Sequence, residues 1–251
     1  MLDPAGVKFI QRVVGKCLFF GRIISPLIEC ATNKIGSVQS RPTGTQAVLK
    51  AALRLCQYLA HHPDHSITYR PSNMRLVIHT DAAHNSESRS RSRAGGIFYL
   101  GDPPFTGINT TDPNTIPGPI ATVSTIIPTV CQASSESEYA AAYLNAQRGE
   151  SIHQTLADLG YPQTQPTPMP VIYDNEVAGK IADQSCKLKR AKAIAMRYHW
   201  LRDRVAMGHF TMVWRPGPHN LADLLTKAHP VHHFEALTPF YNSESSAIRG
   251  Y

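Results

Sequence analysis

Leu76-Val77-Ile78-His79-Thr80-Asp81-Ala82-Ala83 is the stretch on which the fold turns. Leu76–Thr80 is an apolar run long enough for a central strand buried on both faces, and Asp81 closes it. Three other acids occupy similar positions. Asp174 closes Val171-Ile172-Tyr173 and precedes Asn175. Glu138 opens a helix in Ser134-Ser135-Glu136-Ser137-Glu138-Tyr139. Asp223 opens another in Asn220-Leu221-Ala222-Asp223-Leu224-Leu225-Thr226-Lys227. Carboxylates lifted to one rim of a sheet can hold two divalent metal ions, and two such ions suit phosphodiester hydrolysis.

Outward from that strand the pattern alternates. Ile67-Thr68-Tyr69 reads as a short strand, Gly95–Leu100 as a second long one after the Arg-rich loop 86–93, and Ile120–Ile127 as a third. The proline-rich segment 101–119 reads as an inserted surface loop. Ser135–Leu159 is a long helix. Val171–Tyr173 is a strand behind a stiff connector of prolines 162, 166, 168 and 170. Helices over 176–183 and 188–207 precede a strand at His209–Trp214 and a closing helix at Asn220–Lys227. Consecutive strands, then helix, strand, helices, strand and helix describe an α/β (mixed α+β) protein: a five-stranded mixed sheet with helices on both faces.

The first third differs. Val7, Ile10, Val14, Leu18 and, after a turn, Ile24 and Ile28 recur at helical spacing, so residues 4–31 are predicted helical. Residues 33–44 are polar, with Gly36, Pro42 and Gly44, and read as a loop. Thr45–His61 is a second helix, stopped by Pro63. The expected division is a helical arm over 1–66, the sheet domain over 67–240 and a tail over 241–251. The arm is also where the positive charge sits. Residues 1–70 carry nine Lys/Arg against three Asp/Glu, in a chain of net charge +7 and pI about 9.2. Such a surface suits a polyanion such as nucleic acid.

Five scattered cysteines with no Cys-x-x-Cys pair point to a reduced, intracellular chain. Lys16, Arg22 and Glu29 interrupt the apolar run 13–31, so no membrane span is expected, and the first residues lack the charged start of a signal peptide. Cys56, His61, His62 and His65 offer no second ligand pair at zinc spacing, and His229, His232 and His233 read as surface residues.

Taken singly, each acid has a plainer explanation. Asp81 is a solvated strand end, Ser135-x-x-Glu138 a capping box, Asp174 a turn or cap residue, and Asp223 a first-turn acid favoured by the helix dipole. Together they are harder to dismiss, because the topology can bring all of them to one rim.

Several stretches, in order, resemble the ribonuclease H domain of a copia-type retrotransposon Pol polyprotein, preceded by the tail of its reverse transcriptase. They are Thr-Asp-Ala-Ala at 80–83, Ser-Arg-Ala-Gly-Gly at 92–96, Ser-Ser-Glu-Ser-Glu-Tyr at 134–139 and Tyr-Asp-Asn at 173–175. Further along come Lys-Arg-Ala-Lys-Ala-Ile at 189–194, Arg-Tyr-His-Trp-Leu-Arg at 197–202 and Asn-Leu-Ala-Asp-Leu-Leu-Thr-Lys at 220–227. The resemblance spans residues 3–240 and implies a ribonuclease H-like fold. It implies a hydrolase that cuts the RNA strand of RNA–DNA hybrids, with Asp81, Glu138, Asp174 and Asp223 as catalytic metal ligands. Two Mg²⁺ ions, or Mn²⁺ in their place, are the implied cofactors. Glu138 is preferred to Glu136 because the family's acid directly precedes the apolar helix face.

His219, in a Pro-Gly-Pro turn, lies in the loop where such proteins often place a histidine that helps protons or product leave; its spacing from Asp223 is short, and a surface-loop histidine is the plainer reading. Arg89, Arg91 and Arg93 near the rim, Asn175, and the helical Arg190 and Arg197 are the expected nucleic-acid contacts. Arg204 continues the helical series, which equally describes the solvated border of an amphipathic helix. The implied partners are the hybrid and the reverse transcriptase domains of the same polyprotein, with no membrane and no small-molecule substrate. The implied location is intracellular, in a cytoplasmic virus-like particle or the nucleus.

The chain departs from the family pattern at Ala191, Ala193 and Ala195, and it carries no Tyr-x-Asp-Asp polymerase motif and no Asp-Thr/Ser-Gly protease motif. The departures leave a second reading: an inactive ribonuclease H-like relic acting as a nucleic-acid-binding or structural module. An integrase core needs the order Asp-Asp-Glu, whereas here Glu comes second.

Overall fold

The structure, a computed structural model, describes residues 2–39, 45–101, 117–163, 168–176, 197–217 and 220–241. Its described residues fall into two compact units. One holds the chain up to Thr68 together with the segment from Ala228 onward, and the other is Tyr69–Lys227.

The second unit is built on a five-stranded sheet in the order β3-β2-β1-β4-β5. The strands are β1 (Arg75–Glu87), β2 (Arg91–Gly101), β3 (Ala121–Ile126), β4 (Met169–Tyr173) and β5 (Phe210–Trp214). β1, β2 and β3 form an antiparallel meander, while β4 pairs parallel with both β1 and β5. Parallel neighbours need long crossovers. The chain goes from β1 to its parallel neighbour β4 through β2, β3 and helix α4 (Ser134–Asp158), and the connection from β4 to β5 ends in helix α5 (Arg197–Ala206). This is the ribonuclease H-like arrangement that the sequence resemblance implies.

Alternation along β1 decides what each face meets. Leu76, Ile78 and Ala82 join Phe98 and Ala94 of β2, the alanines 140, 141, 142 and 146 of α4, and Leu201 of α5 in the main core. At the centre of this face, Thr80 pairs with Gly96, and the Asn145 side chain of α4 donates to Thr80 Oγ1 and to the Gly95 carbonyl, both at 2.8 Å. Asp81, one residue on, points the other way and pairs with Gly95. On that side a 3-10 turn, Asp223–Leu225, lies against the sheet. The Gly-Gly pair is what admits both approaches. A β-carbon on Gly96 collides with the Asn145 amide, and one on Gly95 stands 2.6 Å from Thr226 Cγ2 and 2.8 Å from the Ala222 carbonyl oxygen.

In the first unit, helices α1 (Pro4–Ile23), α2 (Glu29–Gln39) and α3 (Gln46–His61) enclose a small core of Ile10, Val13, Val14, Cys17, Ile28, Ile35, Ala52 and Leu55. Helix α6 (Val231–Leu237) belongs to the same unit, with the Phe234 ring edge-on to Tyr58 at 6.1 Å. Asp3 caps α1 by accepting from the Gly6 N–H.

The structure corrects several sequence expectations. Residues 33–39, read as loop, continue helix α2; Ile35 is buried in the arm's core and Gly36 lies against Val14, so packing holds this polar stretch helical. No strand forms at Ile67–Tyr69. The Arg-rich loop is shorter than expected, because β1 and β2 run on into a hairpin whose tip, Ser88–Ser90, places Arg89 and Ser90 at positive φ. Asp81 consequently lies within β1 and not at its end. The closing helix 220–227 is only the short 3-10 turn, and α6 was not foreseen. From Ala228 the chain groups with the arm, not with the sheet domain expected to run to 240. Most of the 101–119 loop, most of the two helices expected between 176 and 207, and residues 242–251 of the expected tail lie outside the described residues. No helix among the described residues is long and apolar enough to cross a membrane. Cysteines 17, 30, 56 and 131 form no disulfide.

Gly96→Ala is expected to destabilise the protein by about 1–3 kcal/mol through overpacking against Asn145. Urea denaturation measures this, and an unchanged midpoint would contradict the close packing of α4 on β2.

Candidate metal-binding active site

Asp81, Glu138 and Asp174 converge. One carboxylate oxygen from each lies within 4.8 Å of the others. Three separate elements bring them there: the middle of β1, the second turn of α4 and the residue after β4. Glu138 was a candidate for the reciprocal bond of a capping box with Ser135. The cap is built otherwise. Ala133 is the N-cap residue, and Glu136 Oε2 accepts from the Gln132 N–H at 2.7 Å. Glu138 is thereby left for the interior, where it is 7% exposed and accepts a hydrogen bond from the Ala82 backbone.

Asp223 stands beside this triad and is also buried, and its charge raises the pKa of both Asp81 and Asp174. The turn that carries it supplies three further groups. The Thr226 hydroxyl donates to Asp81 Oδ2 at 2.5 Å. Lys227 Nζ forms an ion pair with Asp223 Oδ1, also at 2.5 Å. Asn220, fully buried, donates to the Thr80 carbonyl at 2.8 Å and hydrogen-bonds the Asp174 carboxylate. Trp214 Nε1 donates to the Asp174 carbonyl at 3.0 Å and steadies the end of β4. Asn220, Thr226 and Lys227 belong to the same 220–227 motif as Asp223, and the match of the whole motif is the sequence signal for them.

Such crowding is electrostatically unfavourable. Burial, then the Asp223 charge, pushes Asp81 up to about 7. Burial, then Asp81 and Asp174, pushes Glu138 up to about 10. Asp174 is raised by burial and by Asp223. Lys227 and the hydrogen bonds from Thr226 and Asn220 oppose these shifts without cancelling them. Buried Glu138 Oε2 has no hydrogen-bond partner. An unmatched buried oxygen among convergent carboxylates, with no nitrogen or sulfur donor in the triad, is the donor set of a hard divalent cation. These residues fit Mg²⁺ or a similar ion.

The other expected site residues separate. Arg89 is exposed at the hairpin tip, and Arg91 is partly buried behind it. Arg93 is corrected: its guanidinium is 1% exposed, pairs with Glu87 Oε1 at 2.7 Å and donates to Ser124 Oγ at 3.1 Å. It braces β1, β2 and β3 and presents nothing to a ligand. A basic residue near a rim cannot be assigned outward or inward until the hairpin register is known, and here β2 begins two residues before it. Asn175 follows Asp174 and is half-buried. Arg197 opens α5, where its backbone alone is described; Arg204 of that helix lies over the Trp200 ring at 5.4 Å. His219 and Arg190 lie outside the described residues.

The chain is similar to the Pol polyproteins of retrotransposons. It is 29% identical over 205 residues to the retrovirus-related Pol polyprotein from transposon RE1 of Arabidopsis thaliana, and 28% identical to that from transposon RE2 of the same plant. Each match covers 80% of this chain and 13% of the polyprotein, so the chain spans about an eighth of the length of these relatives. No protein-family model matches it. Among solved structures, it is similar to LC11-RNase H1 isolated from compost (TM-score 0.42, 15% identity, 61% of this chain and 93% of that one). It is also similar to the foamy viral protease-reverse transcriptase in complex with RNA/DNA hybrid (TM-score 0.48, 15% identity, 90% of this chain and 26% of that one).

Raised carboxyl pKa values make the metal-free folded state hold protons that the unfolded chain has already lost. Stability from this source is complete below the ordinary carboxyl values of 3.8 and 4.5 and is lost as pH rises through about 7 for Asp81 and towards about 10 for Glu138. A divalent ion that binds the ionised form reverses the loss. Thermal melts with chelator and with Mg²⁺ should therefore diverge as pH rises from about 5 to about 9. A gap that does not change with pH would count against the coupling of these carboxyls to metal.

Proposed function

We propose that the chain is a divalent-metal-dependent endonuclease that hydrolyses the RNA strand of RNA–DNA hybrids, as the ribonuclease H part of a retrotransposon Pol polyprotein. The observation that carries this reading is the convergence of Asp81, Glu138 and Asp174 to within 4.8 Å, with Asp223 beside them, on residues that the sequence motifs pick out. The Pol polyprotein matches support it independently.

Asp81, Glu138, Asp174 and Asp223 would hold two ions, Mg²⁺ or Mn²⁺. When bound, these ions supply activation of a water for attack on the phosphodiester and stabilisation of the leaving 3′ oxygen. The chain's own residues do the rest. Thr226 and Asn220 fix the rotamers of Asp81 and Asp174, so that the carboxylates converge before any ligand arrives. The buried surroundings strengthen every charge interaction at the scissile phosphate. Arg89, at the exposed hairpin tip, suits a phosphate-backbone contact, which positions a duplex without reading its sequence. Arg91, Asn175, Arg190 and Arg197 are further proposed contacts, and His219 a proposed helper of product release. Selection for RNA comes from 2′-hydroxyl contacts across a wide minor groove. The arm, by its charge, is proposed to hold the duplex beside the reverse transcriptase domains of a longer chain. This reading places the action inside the cell, in a cytoplasmic virus-like particle or the nucleus.

A labelled RNA–DNA hybrid should be cut with Mg²⁺ present, duplex DNA and duplex RNA should stay intact, and a chelator should stop the reaction. Asp81→Asn should lower cleavage by at least about two orders of magnitude while hybrid binding persists. Full activity in that variant sinks the site assignment. Binding without cleavage in both Mg²⁺ and Mn²⁺ favours an inactive nucleic-acid-binding module.

A further inference from the structure

One cation of the chain itself already sits among these acids. Lys227 follows Asp223 by four residues, and the intervening Asp223–Leu225 3-10 turn and Thr226 fold the lysine back on the aspartate. The ammonium reaches Asp223 Oδ1 at 2.5 Å, while the lysine side chain stays 48% exposed. Partial burial alone lowers its pKa. The hydrogen bond with Asp223 and the charges of Asp81, Asp223 and Asp174 outweigh that effect, so the net shift is upward and the group stays charged.

Lys227 treats the four acids unequally. Asp223 has a direct contact with it. Asp81 and Glu138 feel its charge at a distance, and Glu138 keeps one buried oxygen with no hydrogen-bond partner. The Asp81/Glu138/Asp174 triad can therefore take a divalent ion without displacing an ammonium, whereas Asp223 Oδ1 is already in contact with one.

We propose that Lys227 is a tethered counter-ion that neutralises Asp223 in the metal-free protein and competes with divalent metal for it. This rests on the metal-site reading above. The tether is short, so the ammonium is always present at high effective concentration. The stem is flexible and the head a compact point charge. It can leave for water without disturbing the core, since the side chain is half exposed and belongs to no apolar cluster. Lysine lowers the repulsion that opposes folding without metal and, by the same contact, weakens the hold of Asp223 on a metal ion. Metal affinity is thus set below what the four carboxylates alone would give.

Calorimetric titration of Mg²⁺ and Mn²⁺ into the full chain tests this, with Lys227→Met and Lys227→Arg beside the parent. Methionine keeps most of the stem and removes the charge; Lys227→Gln serves if the methionine variant fails to fold by circular dichroism. The neutral variant should bind metal about two- to tenfold more tightly, and Lys227→Arg should remain close to the parent. Its melting temperature should fall in chelator and return to the parent value at saturating metal, a readout independent of cleavage. Equal or weaker metal affinity in the neutral variant overturns the counter-ion role and leaves the metal site standing. Absence of metal binding in the parent and all variants overturns the metal site, and this inference with it.

Discussion

Like charges buried together repel, and the loss of water makes each of them dearer to ionise. At Asp81, Glu138, Asp174 and Asp223 that repulsion is the constraint to which the sheet unit answers. A carboxylate triad within 4.8 Å, with a fourth acid beside it, persists only because other parts of the fold hold it in place. Thr226 donates to Asp81, the Ala82 backbone donates to Glu138, Asn220 bonds Asp174, and Lys227 pairs with Asp223. Each partner reduces the cost, but none removes it. Asp81, Glu138 and Asp174 stay raised, and Glu138 keeps an oxygen unmatched. The residual repulsion is what the proposed divalent cation would relieve, so the stability of the metal-free protein and the proposed affinity of the site for metal would share one physical origin.

The sheet makes this arrangement by closing on β1 from both faces at one level. Thr80 and Asp81 are neighbours with opposite orientations, and so are Gly96 and Gly95 across the hairpin. On one face Asn145 of α4 ties Thr80 to the Gly95 carbonyl. On the other the 220–227 turn brings in Thr226 and Asp223. Side chains at the two glycine positions would push both elements outward, and the acids with them. Arg93 adds a third brace by joining the hairpin through Glu87 to Ser124 of β3. Ser124 in turn donates to the Leu225 carbonyl of the 3-10 turn, at 2.7 Å. A charge that looked like a ligand contact therefore stiffens the frame on which the acids stand.

The four acids, the Gly-Gly pair, the strand run 76–80 and the long helix 134–158 were all legible in the sequence. Each expresses a local rule: an apolar run of strand length, an Ala-rich helical stretch, or motif residues matched in order. Three kinds of information were not legible. Strand extent was underestimated at the β1–β2 hairpin, because polar residues on a projecting hairpin look like loop residues. Helix ends were misassigned at 33–39 and at 220–227, because composition does not reveal whether a short polar segment has a neighbour to pack on. The direction of Arg93 was wrong, because its partner Glu87 becomes adjacent only once the strands pair.

What the sequence alone determined is the inventory: which carboxylates are present, on which elements, and in an order that resembles a ribonuclease H domain. Local hydrogen bonding and hydrophobic periodicity are short-range properties, and they can be read along the chain. Only the tertiary structure decided how the inventory is wired. Thr226 meets Asp81 across 145 positions of sequence, and Asn220 meets Thr80 across 140. Lys227 is set on Asp223 by the shape of a turn that the sequence suggested was a helix. These contacts depend on the sheet's parallel crossovers and register, and so does the electrostatic character of the site, since charge interactions follow distance in space and burial, not separation along the chain.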